Sequence, residues 1–234
     1  MKESKIQLMS YYRYQLNSSI LICLFMFSIP TQADSLLTMT NWEQVEKEDG
    51  VTVYINETGD SQIVRVKTTV SINAPLSDIQ TILDDVSNRS EWVPFLTESR
   101  ILHDFSPTEK LEYSVFYGPW PADDRDFVYR ITLDHKDDHK VIYSMISEPS
   151  SLMPEQENKV RAQLIESYYT LTALDDKTTQ VELIFHADPK GYVPIWIVNI
   201  IQRVLPYQIL KNLKERAENP PALVQSTSTS RPSR

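Results

Sequence analysis

Only one cysteine and four glycines occur in 234 residues, and both scarcities narrow the chemistry. Cys23 lies inside an apolar N-terminal run, so a chain cleaved beyond it has no thiol nucleophile, disulfide framework or cysteine metal knuckle. Gly50, Gly59, Gly118 and Gly191 stand singly at element boundaries. With no Gly-x-Gly-x-x-Gly, Gly-x-Ser-x-Gly or Walker pattern, a glycine cradle for phosphates is excluded. Histidine is as sparse: His103, His135, His139 and His186. His135 and His139 are four apart, but Asp134-His135-Lys136-Asp137-Asp138-His139-Lys140 reads as a polar hairpin turn, so no metal or other cofactor is expected. Positive charge is also short, 23 basic against 32 acidic residues for a net charge of -9. That balance argues against a nucleic-acid partner and sets net repulsion against any anionic membrane.

What is present suffices for one domain with a sizeable core: 41% hydrophobic and 10% aromatic residues. Residues 1–33 differ in kind. Lys2, Lys5 and Arg13 precede an apolar run from Ile20 to Ile29, followed by Pro30-Thr31-Gln32-Ala33. A basic segment, a short apolar segment and small residues match a secretory signal cleaved before Asp34, too short to span a bilayer comfortably. The expected location is therefore exported, periplasmic or secreted. At the other end, residues 219–234 are rich in Pro, Ser and Thr and read as a disordered tail. The domain proper is placed at 34–218.

Along the domain, residues 41–48 carry Trp42 and Val45 at helical spacing behind Asn41 and read as a short helix stopped by Gly50. A strand at 51–55 and a turn at Thr58-Gly59-Asp60 lead into a strand at 62–72. Asn73-Ala74-Pro75 ends it, and Ser77-Asp78-Ile79-Gln80 has capping-box spacing for a helix over 78–86. Glu91-Trp92-Val93-Pro94 suggests another helical turn. Strands follow at 97–102, 110–117, 125–133, 140–147, 160–173 and 180–187. In Gly118-Pro119-Trp120-Pro121-Ala122-Asp123-Asp124-Arg125-Asp126-Phe127-Val128, two prolines and a run of Asp make a rigid corner that launches a strand, with Arg125 expected to pair with a neighbouring carboxylate. Gly191-Tyr192-Val193-Pro194 opens a C-terminal helix. Trp196, Ile197, Ile200, Ile201 and Val204 cluster on one side of it. Past Pro206 the apolar set is Ile209, Leu210 and Leu213, on a different side. A kink at Pro206 would let both stripes face one body. Helices covering one face of a curved antiparallel sheet make this an α+β fold.

The ordered set Trp42, Gly50-Val51, Ala74-Pro75, Glu91-Trp92, the Pro-Trp-Pro corner into Arg125-Asp126-Phe127-Val128, and Gly191-Tyr192-Val193-Pro194 resembles the START family. The resemblance covers about residues 42–216. It implies the helix-grip fold, a curved antiparallel sheet wrapped around a long C-terminal helix that roofs a ligand tunnel, and a monomer holding a hydrophobic small molecule, most simply a lipid, with transient membrane contact. The lining it implies is Tyr113, Val115, Phe127, Tyr129, Ile131, Tyr143, Met145, Leu183 and Phe185, roofed by Trp196, Ile200 and Val204. Steroid-type members pair a buried Arg with a carboxylate on the preceding strand. Here that position is Ile131, and strand parity sends Glu112, Arg130 and Glu182 outward. No catalyst is expected. A cyclase- or aromatase-like enzyme, which would need an inward ionisable pair, and an interaction module with a collapsed cavity are the alternatives.

Overall fold

The computed structural model describes residues 42–56, 61–118 and 122–220. The signal-like segment, the turn at 58–60, the prolines of the corner and the tail beyond 220 lie outside them. Among the described residues the strands are β1 (Glu43–Glu48), β2 (Val51–Asn56), β3 (Arg65–Ile72), β4 (Leu96–Ser106), β5 (Glu109–Phe116), β6 (Asp124–Lys136), β7 (Lys140–Ser147), β8 (Lys159–Arg161), β9 (Gln163–Asp175) and β10 (Thr178–Asp188). The helices are α1 (Leu76–Asp84), a 3-10 turn (Val86–Glu91) and α2 (Ile195–Glu218). They form one sheet in the order β1-β2-β3-β10-β9-β7-β6-β5-β4, with short β8 pairing parallel to β6 and every other pair antiparallel. The sheet curves, and α2 lies across its inner face against β2, β3 and β10 and beside α1.

The first element corrects the sequence reading. Residues 43–48 are an exposed edge strand. Asp49 and Gly50 both take positive φ, 51° and 79°, and make the two-residue turn that joins Glu48 to Val51. Asp-Gly is the strongest short hairpin signal, and it overrides the weak helical spacing of Trp42 and Val45. Asp49 then accepts hydrogen bonds from Tyr207 and Lys211, tying the hairpin to α2.

At α1, Pro75 takes the N-cap position with no side-chain cap; Ser77 instead hydrogen-bonds Asp78. The helical turn expected at 91–94 falls earlier, at the 3-10 turn, where Asp85 accepts from the Asn88 N–H. The strand expected over 160–173 divides at Ala162, whose N–H donates to the Asp126 carbonyl, so β8 stays on β6 while β9 moves between β10 and β7. Helix α2 runs unbroken through Pro206, which is buried. One stripe of Val198, Gln202, Pro206, Ile209, Leu210 and Leu213 faces the sheet along its whole length. Two separate apolar stripes therefore do not both turn inward.

The main core joins Leu210 and Leu213 of α2 to Ile79 and Leu83 of α1, to Trp92, and to Val70, Val181 and Leu171 of the sheet. A second cluster on the opposite sheet face holds Leu111, Tyr113, Val115, Val128 and Met153.

Candidate ligand site

Register decides which side chains meet on the inner face. Facing residues share a face, and Leu133, Tyr143, Tyr169, Leu183 and Thr68 form one row across β6, β7, β9, β10 and β3. Ile131, Met145, Ser167, Phe185 and Val66 form the next. Seven of the nine expected sheet residues stand on this face: Phe127, Tyr129, Ile131, Tyr143, Met145, Leu183 and Phe185. Ile131 and Tyr143 border a recess, Leu183 sits in the main core, and Tyr129 and Met145 pack with Leu164, Ala187, Phe127 and Phe185.

Tyr113 and Val115 are on the other face, where they pack on Val128 and Met153. Strand β5 is buried on both sides, so the apolar half of its alternation does not identify the inward half. The Arg100 guanidinium lies over the Tyr113 ring at 5.2 Å, and burial with nearby Asp126 raises the Tyr113 phenol to about 12. Among the described residues Arg125 pairs with no carboxylate; its guanidinium donates to the Asp123 carbonyl. The buried carboxylate of the motif is Asp126, held by Arg161 through bonds of 3.0 and 2.9 Å.

The roof differs too. Trp196 is 63% exposed and Ile200 51%, with Val204 also open to solvent. These three point away from the sheet because the stripe through Val198 and Gln202 takes the inward side.

What sequence reasoning missed is polar. Glu112, expected outward, is 1% exposed and faces Tyr129 in register. Arg89, from the 3-10 turn, donates to it at 2.6 Å, to the Tyr129 hydroxyl at 3.2 Å and to the Leu83 carbonyl at 2.9 Å. The Tyr129 hydroxyl donates to Glu112 at 2.9 Å, which leaves Ser114 as the donor to the phenol oxygen at 3.0 Å. Burial disfavours the guanidinium charge, but adjacent Glu112 more than offsets this and raises the Arg89 pKa. Burial and then Glu112 push the Tyr129 phenol up, and burial and Asp84 do the same for Tyr143. Arg89 therefore keeps its charge beside Glu112, and both phenols are neutral donors. Tyr143 donates to Asp84 at 3.0 Å and accepts from Gln80 at 3.0 Å, fastening α1 to the sheet. The only sequence hint was Glu112 and Ser114 alternating with apolar neighbours, a pattern that ordinarily marks a solvent face.

Between α1 and the inner face of β5 to β7 these groups enclose a recess of about 150 Å³, lined by Gln80, Asp84, Arg89, Lys110, Glu112 and Tyr143 together with Leu83, Ile131 and Leu133. Its walls can hold a polar headgroup against apolar side chains. No residue of α2 borders it. Arg130 and Glu182 do stay on the outer face, Arg130 held by Glu109 and Glu148 and stacked on Phe105, Glu182 beside Lys67. His135, at the exposed end of β6, bonds Asp137 at 2.9 Å.

Comparison with known proteins agrees with this architecture. The START domain family model matches residues 32–220. An uncharacterized protein of Pseudomonas aeruginosa is 26% identical over 178 residues, 76% of this chain and 87% of that protein. The phosphatidylcholine transfer protein of Mus musculus is 23% identical over 190 residues, 78% of this chain and 86% of that protein. The crystal structure of a STAR-related lipid transfer protein from Xanthomonas axonopodis superposes with a TM-score of 0.67 at 25% identity, covering 75% of this chain and 98% of that one. With most of its length matched by the family model and the helix-gripping sheet in place, the chain belongs to the START domain family.

Proposed function

We propose that this domain binds a lipid between its sheet and helices and carries it without chemical change. The observation that carries this is the inner face itself: aromatic and aliphatic side chains from five strands converge on one side of the sheet, and the polar recess lies at its edge. Names of related proteins that include lipid transfer support it. Covering roughly 500 Å² of ligand hydrocarbon would contribute about 12 kcal/mol gross at about 25 cal/mol per Å², much of it offset by association and ordering costs. A recess of about 150 Å³ is smaller than the roughly 300–1,000 Å³ of ordinary ligand pockets. Loading therefore requires the helices to part from the sheet.

The inward ionisable pair Arg89–Glu112 is the feature an enzyme would need, yet both partners are committed, Glu112 to Arg89 and Tyr129, and Arg89 also to Leu83. In the carrier reading the recess that these groups line is where a headgroup would sit. The outward Trp196, Ile200, Ile201 and Val204, with Tyr192 before them, supply an apolar face for transient contact with a lipid surface. The N-terminal pattern supports export, so the membranes served are those facing the periplasm or exterior.

The test is native mass spectrometry of protein purified from its compartment without detergent, followed by extraction and identification of whatever is bound. A stoichiometric lipid adduct is expected. A clean apo mass that persists after incubation with phospholipid vesicles would refute carriage.

A further inference from the structure

Gln202 occupies a position on α2 that the sequence pattern does not favour for it. It lies on the buried stripe between Val198 and Pro206, 2% exposed, while Trp196, Ile200 and Val204 on neighbouring turns remain in solvent. Rotating these turns would bury three large apolar side chains and return the amide to water, so apolar burial alone favours the opposite orientation. The inward amide Nε2 donates to the Ala187 carbonyl. A carbonyl only accepts, which fixes the amide's orientation and directs Oε1 elsewhere. Among the described residues Oε1 is buried with no hydrogen-bond partner. Native interiors avoid leaving an acceptor in that state. Ala187 belongs to the cluster of Tyr129, Met145 and Leu164, so the amide is fastened beside the inner-face residues against which a lipid would lie.

We propose that Gln202 is a specificity-determining residue whose Oε1 accepts a hydrogen bond from the bound amphiphile, and that the ligand class is a lipid bearing a hydroxyl or N–H donor. This rests on the lipid-binding reading and narrows it. A fully esterified or purely hydrocarbon molecule would leave the acceptor open, whereas a partial glyceride, a hydroxylated acyl chain or an amide-linked lipid would close it.

Displacement of a bound fluorescent fatty-acyl probe by monolauroylglycerol and by its dimethyl ether tests this, because the two share a chain and differ in donors. Wild type is expected to prefer the glyceride by roughly tenfold to a hundredfold, and Gln202→Leu to abolish that preference while still binding the ether. Equal displacement by both compounds in wild type overturns the proposal without any variant, since the acceptor is then served by water. A preference that survives in Gln202→Leu overturns it as well. If the probe itself does not bind and no lipid co-purifies, the carrier reading falls and takes this one with it; equal displacement removes only the role of Gln202.

Discussion

The two halves of α2 treat their apolar residues in opposite ways. After Pro206, Ile209, Leu210 and Leu213 are buried against α1 and the sheet, while Lys211 and Lys214 reach outward to Asp49 and Glu218. Before it, Trp196, Ile200, Ile201 and Val204 face solvent and Gln202 faces in. The C-terminal half packs on a filled core, where matching apolar area decides orientation. The N-terminal half is fixed by polar bonds: Asn199 accepts from the Val64 N–H and donates to the Gln62 carbonyl, and Gln202 donates to Ala187. One end of the helix is an anchor, and the other leaves its apolar side exposed.

If that division holds, damage at the anchored end is thermodynamic. The largest effect is expected from Arg89→Met, which strands Glu112 as an unpaired buried carboxylate and should cost about 3–5 kcal/mol. Chemical denaturation would show it, and replacing both partners with apolar residues should recover much of the loss. A single-variant loss below about 1 kcal/mol would mean that water reaches the pair. Next comes Leu213→Ala, which opens a cavity at a fully buried position and should cost about 2–5 kcal/mol. An unchanged denaturation midpoint there would remove the anchor from the comparison.

A smaller effect concerns alkaline pH. Tyr113 is raised to about 12, and burial raises Tyr129, Tyr143 and Tyr169 as well. Raised phenols remain protonated in the folded state while the unfolded chain ionises near pH 10, so the unfolded state binds fewer protons and stability falls as pH rises from about 10 towards 12. Tyrosinate absorbance should therefore rise together with loss of the folded circular dichroism signal. Titration of all the tyrosines near pH 10 in a still folded protein would contradict the burial of these four.

Most of the architecture was legible because it rests on period-two alternation and punctuation: the break at Ala74-Pro75 and the helix start at Pro194 lie where local chemistry demands them, while the polar turn expected at 134–139 narrows to 137–139 because β6 continues to Lys136. The site was legible only in part, for two physical reasons. A strand buried on both faces gives no sign of which face is inner, so the alternation of β5 points Tyr113 and Val115 inward and Glu112 outward, the reverse of the structure. An amphipathic helix shows its apolar side but not what covers it, so the stripe of Trp196, Ile200 and Val204 reads as a roof although it is exposed. Long-range polar partners such as Arg89 with Glu112, or Gln202 with Ala187, leave no trace in local periodicity, because each bond is set by tertiary contact.

The last prediction concerns the free end and has the smallest effect on stability. Trp196 and Ile200 contribute little to the core, so Trp196→Ser with Ile200→Ser should change folding free energy by no more than about 0.5 kcal/mol. The same pair should lose most of its binding to zwitterionic phospholipid vesicles in a flotation assay, because burying those two side chains in the interface is what drives contact for a chain with a net charge of -9. Anionic vesicles should bind the wild type more weakly, and added salt should narrow the gap by screening the repulsion. A double variant that floats as well as wild type would show that the outward face serves another surface. One that unfolds would show that Trp196 and Ile200 are held against the fold after all, and the two halves of the helix would then be anchors alike.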